Sequence, residues 1–142
     1  MKKRHVVLDT NCLVQSLPSK SIYHKIWEDF LEGKYILCVS NEILNEYEEI
    51  ITRYSSPQVA KNVVDAIAHS PHTLYKESYF KFRLITQDPD DNKFVDCAII
   101  ANAHYLVTND KHFNVLKKND FPKVDCISLA SFKKLLTQQE NT

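Results

Sequence analysis

Residues 88–110 read DPDDNKFVDCAIIANAHYLVTND, and the order of signals inside this stretch decides the fold. Asp88, Asp90 and Asp91 precede a run in which Phe94, Val95, Ala98 and Ile99 recur at helical spacing, so these acids lie at a helix N-terminus. The helical pattern ends near Ala103. His104 to Thr108 then reads as a short buried strand, because Tyr105, Leu106 and Val107 are apolar and β-prone, with Asn109-Asp110 at its C-terminal end. One other strand ends on an acid in the same way: His5 to Leu8, followed by Asp9-Thr10-Asn11. Ligands of α/β sheets sit just outside the carboxyl ends of the strands. Two carboxylates on neighbouring strand tips, joined by one from a helix start, would form a hard-cation site.

Outward from this stretch the chain alternates strands with helices. Ser21 is the expected N-cap of a helix running to about Glu32, with Ile22, Ile26, Trp27 and Phe30 on one face and Gly33 as its stop. Tyr35 to Val39 is the next buried strand. Ser40 caps a helix whose Ile43, Leu44, Tyr47, Ile50 and Ile51 form an apolar stripe. Glu46 lies on the side of that stripe, where a carboxylate must be paired, protonated or metal-bound. Glu42, Glu48 and Glu49 lie farther round or nearer the ends. Pro57 opens another helix, with Val59, Val63, Ala66 and Ile67 spaced for packing, and the two helices are expected to form an antiparallel hairpin. Tyr79 to Thr86 alternates Phe80, Phe82 and Leu84 with Lys81 and Arg83, which suits a short strand or sheet edge. Val124 to Ile127 reads as a last strand, and Ser128 or Ser131 caps a final helix carrying Phe132, Leu135 and Leu136. The expectation is one domain over residues 1–137 and a polar, frayed tail over 138–142. Its class is a three-layer α/β/α sandwich around a mainly parallel sheet.

Composition narrows the functions open to such a domain. With 142 residues, 44% of them apolar, the chain can bury one proper core. Eighteen basic residues balance eighteen acidic ones, so the chain as a whole exerts no long-range pull on a polyanion. Met1-Lys2-Lys3-Arg4 leads into a short apolar strand ending on an acid, unlike a signal peptide, and no apolar run reaches membrane length; the expected location is cytoplasmic. Cys12, Cys38, Cys97 and Cys126 lie in or beside apolar segments without zinc-type spacing and read as reduced core residues. Gly33 is the single glycine, which excludes the glycine-rich phosphate loops of Walker A and dinucleotide-binding motifs.

Four patterns, LDTN at 8–11, SNEILNEYEEI at 40–50, DPDDNKFVDCA at 88–98 and YLVTND at 105–110, resemble the PIN domain in order and spacing, and most of all the small prokaryotic VapC-like toxins. Each pattern is weak alone; together they span nearly the whole chain. The resemblance implies a ribonuclease that hydrolyses RNA phosphodiesters with Mg²⁺ or Mn²⁺, forms a homodimer and is controlled by a small antitoxin protein. Carried over by position, Asp9, Glu46, Asp91 and Asp110 are the catalytic, metal-binding acids, and Thr10, Asn11, Thr108 and Asn109 their polar neighbours. Asp91 is preferred to Asp96 because it stands before Ala98 at the family's spacing. The two differ by about 140° around a helix, so both would face one metal only if Asp91 capped the helix from outside its regular turns. Asp96 stays a candidate for a supporting position behind the ligands. His112 departs from the family, whose members often carry an acid there, and this weakens a second metal site. Asn109 departs less consequentially.

The chemistry gives these residue types their reason. Carboxylates hold Mg²⁺ or Mn²⁺ through hard oxygens while leaving water in place, and a cation is needed for RNA to approach a ring of acids. Asp88 and Asp90 read as structural, since acids at a helix N-terminus are favoured by its dipole. Asp9 ends an apolar strand with no nearby structural need. Arg53, Lys93 and Lys111 are candidates for backbone phosphate contacts. A receiver-like phosphoacceptor would want paired acids after the first strand, and a haloacid-dehalogenase-like phosphatase a second Asp where Asn11 stands. A PIN fold acting only as an RNA- or protein-binding module stays open.

Overall fold

Five short runs become the five parallel strands of one sheet: β1 (His5–Leu8), β2 (Ile36–Val39), β3 (Thr73–Tyr75), β4 (Tyr105–Val107) and β5 (Cys126–Ile127). They stand in the order β3-β2-β1-β4-β5 in a computed structural model that describes residues 3–77, 81–85, 89–118 and 122–140. Val6 pairs with Leu37 on one side and Tyr105 on the other, and Leu8 pairs with Val107. Val6, Val7 and Leu8 are covered on both faces, so β1 carries an unbroken apolar run rather than an alternating one. The chain builds outward from β1 to β3, then returns to place β4 on the other side. The point where the order reverses therefore lies between the ends of β1 and β4, the usual location of a ligand in an open α/β sheet.

Helices cover the sheet: α1 (Thr10–Ser16), α2 (His24–Leu31), α3 (Asn41–Tyr54), α4 (Pro57–Ala68), α5 (Asn92–Ile100) and α6 (Leu129–Glu140). Two 3₁₀ stretches, Pro89–Asp91 and Lys111–Lys118, lead into α5 and follow β4. Ser40 Oγ accepts from Ile43 N–H at 3.3 Å, and Ser56 Oγ from Val59 N–H at 3.1 Å, so α3 and α4 start on serine caps and pack together as a helical pair. Helix α2 stops at Gly33 (φ +76°): Lys34 N–H reaches Asp29 O at 2.8 Å and Gly33 N–H reaches Phe30 O at 3.0 Å. Helix α5 stops in the same way with Asn102 (φ 53°) in the left-handed position, asparagine tolerating it better than most residues. Tyr47 is buried on α3 and donates its hydroxyl to Leu8 O at 2.6 Å, which pins that helix to the end of β1. No helix among the described residues is long and apolar enough to cross a membrane.

Several local expectations are corrected. Helix α1 begins directly after β1, where no helix was read, and β3 occupies Thr73–Tyr75, where no strand was read. Helix α2 starts at His24 after Tyr23; Ser21 instead takes Tyr23 N–H at 3.0 Å in the preceding turn, and Ile22 is 70% exposed rather than on the core face. Val59 is also exposed. Residues 81–85 form no strand: Asn92 clamps Ile85 by accepting its N–H at 2.9 Å and donating to its carbonyl at 2.8 Å, a pairing that replaces a sheet ladder. Tyr79, Phe80 and Thr86, also part of that expected strand, lie outside the described residues. Helix α5 ends at Ile100, not near Ala103. Helix α6 takes Ser128 as its cap, through Ser131 N–H at 3.1 Å, and continues through 138–140, where Gln139 accepts from Arg4 at 3.1 Å and Glu140 meets Lys25.

Candidate functional site

Asp9 closes β1 and opens α1. Its N–H continues the sheet ladder to Val107 O at 3.0 Å, and its backbone takes the N-cap position of α1 while its side chain makes no capping bond. That leaves the carboxylate to the neighbouring strand tip, where Oδ2 accepts from Thr108 Oγ1 at 2.8 Å. The Thr108 hydroxyl oxygen accepts from Asp110 N–H at 3.0 Å, and Asp110 Oδ1 accepts from His112 N–H at 2.9 Å. Only 7% of Asp9 is exposed. Burial pushes its carboxyl above the ordinary carboxylate range; the Thr108 hydrogen bond opposes this, while the charges of Asp110 and Glu46 add to it. The structure thus brings Asp9, Glu46 and Asp110 within electrostatic reach of one another.

Asp91 joins from the other side. The 3₁₀ turn before α5 makes Asp91 the residue that caps that helix, with no side-chain capping bond, so it stands outside the regular turns. His112 Nδ1 lies 3.5 Å from Asp91 Oδ2 and 3.5 Å from Asp110 Oδ1, and one donor atom from each of the three residues falls within 4.8 Å of the others. This Nδ1 is itself buried and has no hydrogen-bond partner among the described residues. Donors held at about 2.0–2.2 Å by one cation stand roughly 3.0–3.5 Å apart, so the spacing suits a shared ion better than direct hydrogen bonds. The donor set, two carboxylates and an imidazole, is one a divalent metal accepts.

Glu46 reaches the same place from α3 with both oxygens engaged. Thr10 donates its hydroxyl to Oε2, and Lys93, half-buried on α5, pairs with Oε1 at 2.7 Å. Of the three choices open to an acid beside an apolar stripe, Glu46 takes pairing. Asn11 and Asn109 are exposed and border, with Asp9 and Asp110, a cavity of ≈ 320 Å³. Asn109 Oδ1 also accepts from Leu129 N–H at 3.1 Å, tying the tip of β4 to the start of α6.

Asp96 is placed elsewhere. It is buried, accepts from Phe82 N–H at 3.2 Å and faces a larger cavity of ≈ 440 Å³ shared with Glu42, Lys81 and Arg83. Its carboxyl is raised by burial, opposed by that hydrogen bond and by Lys81. Asp90 is exposed on the rim of that larger cavity, and Asp88 lies outside the described residues. Arg53 pairs with Glu49 at 3.1 Å, and Lys93 is committed to Glu46 rather than left facing solvent. Two residues gain a place that the sequence did not assign. His112 turns inward to the acids, its spacing after Asp110 being the one available signal, and Lys93 lies against an acid 47 positions away with no local signal at all. The cysteines are free thiols; burial pushes Cys12 and Cys97 up to about 12, and Cys38 and Cys126 up to about 11.

Comparison with known proteins bears on the fold and the family. A search of curated protein sequences finds no match. Among solved structures, the crystal structure of VapBC2 from Rickettsia felis bound to a DNA fragment from their promoter contains a chain similar to this one. The TM-score is 0.59 at 17% identity, over 87% of this chain and 98% of the other. The PIN domain endonuclease Utp24 aligns with a TM-score of 0.51 at 21% identity, over 87% and 84% of the two chains. At such identities the likeness is one of fold. The family profile described as PIN domain matches residues 5–112, which takes in every strand and helix that carries the acids. This chain belongs to the PIN domain family.

Proposed function

We propose that this PIN domain is a metal-dependent endoribonuclease that hydrolyses RNA phosphodiester bonds with Mg²⁺ or Mn²⁺, and that it serves as the toxin of a toxin-antitoxin pair. The observation that carries the reading is the convergence of Asp9, Asp91 and Asp110, with Glu46 beside them, at the ends of β1 and β4 where the strand order reverses. Asp9, Asp91, Asp110 and His112 would hold the ion, with Glu46 available once Lys93 moves off it. A divalent ion bound there supplies a water of lowered pKa and offsets the charge of the scissile phosphate.

The chain's own contribution is to aim these groups. One Thr108 hydroxyl orients Asp9 and anchors the backbone of Asp110, while His112 N–H fixes Asp110 Oδ1, the oxygen that faces His112 Nδ1. Thr10 and Lys93 hold Glu46 toward the cluster. Asn109 stands at the cavity mouth, where its amide can donate to a phosphate oxygen. Lys111 is exposed beside Asp110 and available to the RNA backbone. A homodimer, a small antitoxin that covers the acidic cleft and a cytoplasmic location complete the proposal.

The Lys93–Glu46 pair favours a second reading, a non-catalytic PIN-fold module that binds RNA or protein, because it already neutralises one of the four acids. Incubation of purified protein with RNA decides between the two. The nuclease cleaves with Mn²⁺ or Mg²⁺, stops in excess EDTA and leaves 5′ phosphates with no 2′,3′-cyclic product, as attack by water with loss of the 3′ oxygen gives. Asp9→Asn and Asp110→Asn abolish cleavage with the fold intact, and Asp90→Asn changes it little. Cleavage that persists in EDTA rules out the metal mechanism, and equal losses in all three variants rule out this assignment of the site.

A further inference from the structure

The cavity above Asp9 and Asp110 has a wall that phosphodiester hydrolysis does not use. Asn11 and Gln15 stand one turn apart on α1, so both amides project toward the same side, and Tyr54, the last residue of α3, borders the same space. Its side chain is 71% exposed. An exposed tyrosine alone means nothing, since much of any protein surface is apolar. This one shares a cavity with the buried Asp9 and with Asp110, on a backbone held from both directions. Ser55 N–H donates to Ile51 O at 2.8 Å, Ser56 caps α4, and α4 begins at Pro57. A ring carried on so fixed a turn loses little freedom when something stacks on it.

Charge selects what can enter. Among the described residues neither lysine nor arginine lines this cavity, and Asp9 and Asp110 do, so a second phosphate is repelled there. A neutral, flat, hydrogen-bonding group suits an aromatic face flanked by amides. At ≈ 320 Å³ the space lies at the small end of ligand sites, which run from about 300 to 1,000 Å³. A base inside a duplex is stacked on both faces and cannot enter it.

We infer that this cavity is the subsite for one unpaired nucleobase of the RNA, stacked on Tyr54 and hydrogen-bonded along its edge by Asn11 and Gln15. The subsite rests on the endoribonuclease reading and adds to it the place of one splayed base beside the cleaved bond. Tyr54 binds and positions that base, and takes no part in the bond-breaking step.

The test is fluorescence anisotropy of a labelled single-stranded oligoribonucleotide with Ca²⁺ in place of Mg²⁺, alongside cleavage assays in Mn²⁺. Tyr54→Ala weakens binding about 5- to 150-fold, the range for loss of one base stack, while Tyr54→Phe and Tyr54→Trp stay within about twofold of wild type. An abasic residue at the stacked position reproduces the Tyr54→Ala loss, and combining the two adds nothing further. A duplex of the same sequence binds at least about tenfold more weakly than the single strand. If wild type cleaves RNA but Tyr54→Ala binds and cleaves like it, or the duplex binds as well as the single strand, the base subsite is wrong and the nuclease reading survives. If wild type neither binds nor cleaves RNA, both fall together.

Discussion

The hydroxyl of Thr108 stands between the two strand-tip acids: it donates to Asp9 Oδ2 at 2.8 Å, and its oxygen accepts from the N–H of Asp110 at 3.0 Å. A single buried side chain thereby sets the direction of one proposed ligand and the backbone position of another. Thr108 is held in turn by its own N–H, bonded to Ile127 O on β5 at 2.9 Å. Partners behind metal ligands typically contribute 10–100-fold to affinity. Thr108→Ala is therefore expected to weaken Mn²⁺ binding by about that factor, and Thr108→Ser to restore most of it. Calorimetric titration of the folded variants makes the comparison; an unchanged affinity in Thr108→Ala would mean that Asp9 needs no such support.

Clustering itself has a cost in the metal-free chain. Nearby carboxylates repel by about 1 kcal/mol per pair in water and more where solvent is partly excluded. Bound metal removes the repulsion, so Mn²⁺ or Mg²⁺ should raise the melting temperature, by an amount equivalent to about 2.7 kcal/mol at a hundredfold excess over the dissociation constant. Asp110→Asn keeps an oxygen for the His112 N–H and loses a repelling charge, so its apo form should melt no lower than wild type while its response to metal flattens. Glu48→Gln, on the exposed side of α3, should respond as wild type does. His112→Ala should lose more of the Mn²⁺ response than of the Mg²⁺ response, because a nitrogen donor favours the former. A full metal shift in Asp110→Asn would remove Asp110 from the ligands.

Acid–base linkage offers a readout that needs no RNA. Burial raises the Asp9 carboxyl, so the folded, metal-free chain binds a proton at Asp9 where the unfolded chain does not. The folded state then holds more protons, and stability falls as pH rises from the unfolded value of about 3.9 through the raised folded value. Above that the penalty stays in full. Asp9→Asn lacks this contribution, so urea unfolding in EDTA should show wild type losing ground to the variant as pH increases. Parallel stability curves for the two proteins would contradict the raised value.

Expression in a bacterial host examines the toxin role. Wild type should slow growth, Asp9→Asn should not, and a small protein encoded beside this one should reverse the effect when supplied together. Equal effects of wild type and Asp9→Asn on growth would separate any toxicity from the acidic site.

Sequence by itself determined the parts that depend on local rules. The apolar runs of β1, β2 and β4, the serine cap of α3 and the stop at Gly33 are legible because periodicity, capping and left-handed turns involve residues a few positions apart. Asp9 and Asp110 were visible for the same reason, each being the acid that ends such a run. Helix α1 escaped because its seven residues follow β1 without a break and lack an apolar stripe long enough to read, and β3 because a three-residue strand with half-buried side chains has no pattern of its own. Tertiary structure alone decided the rest. The placing of β4 beside β1 brings Thr108 to Asp9 across 99 positions, the 3₁₀ turn at Pro89–Asp91 turns Asp91 toward His112 while Asp96 faces residue 82, and Lys93 meets Glu46 between two helices. Hydrophobic burial chooses each element from its neighbours in the chain, whereas the meeting of polar groups is settled by the order in which the strands assemble.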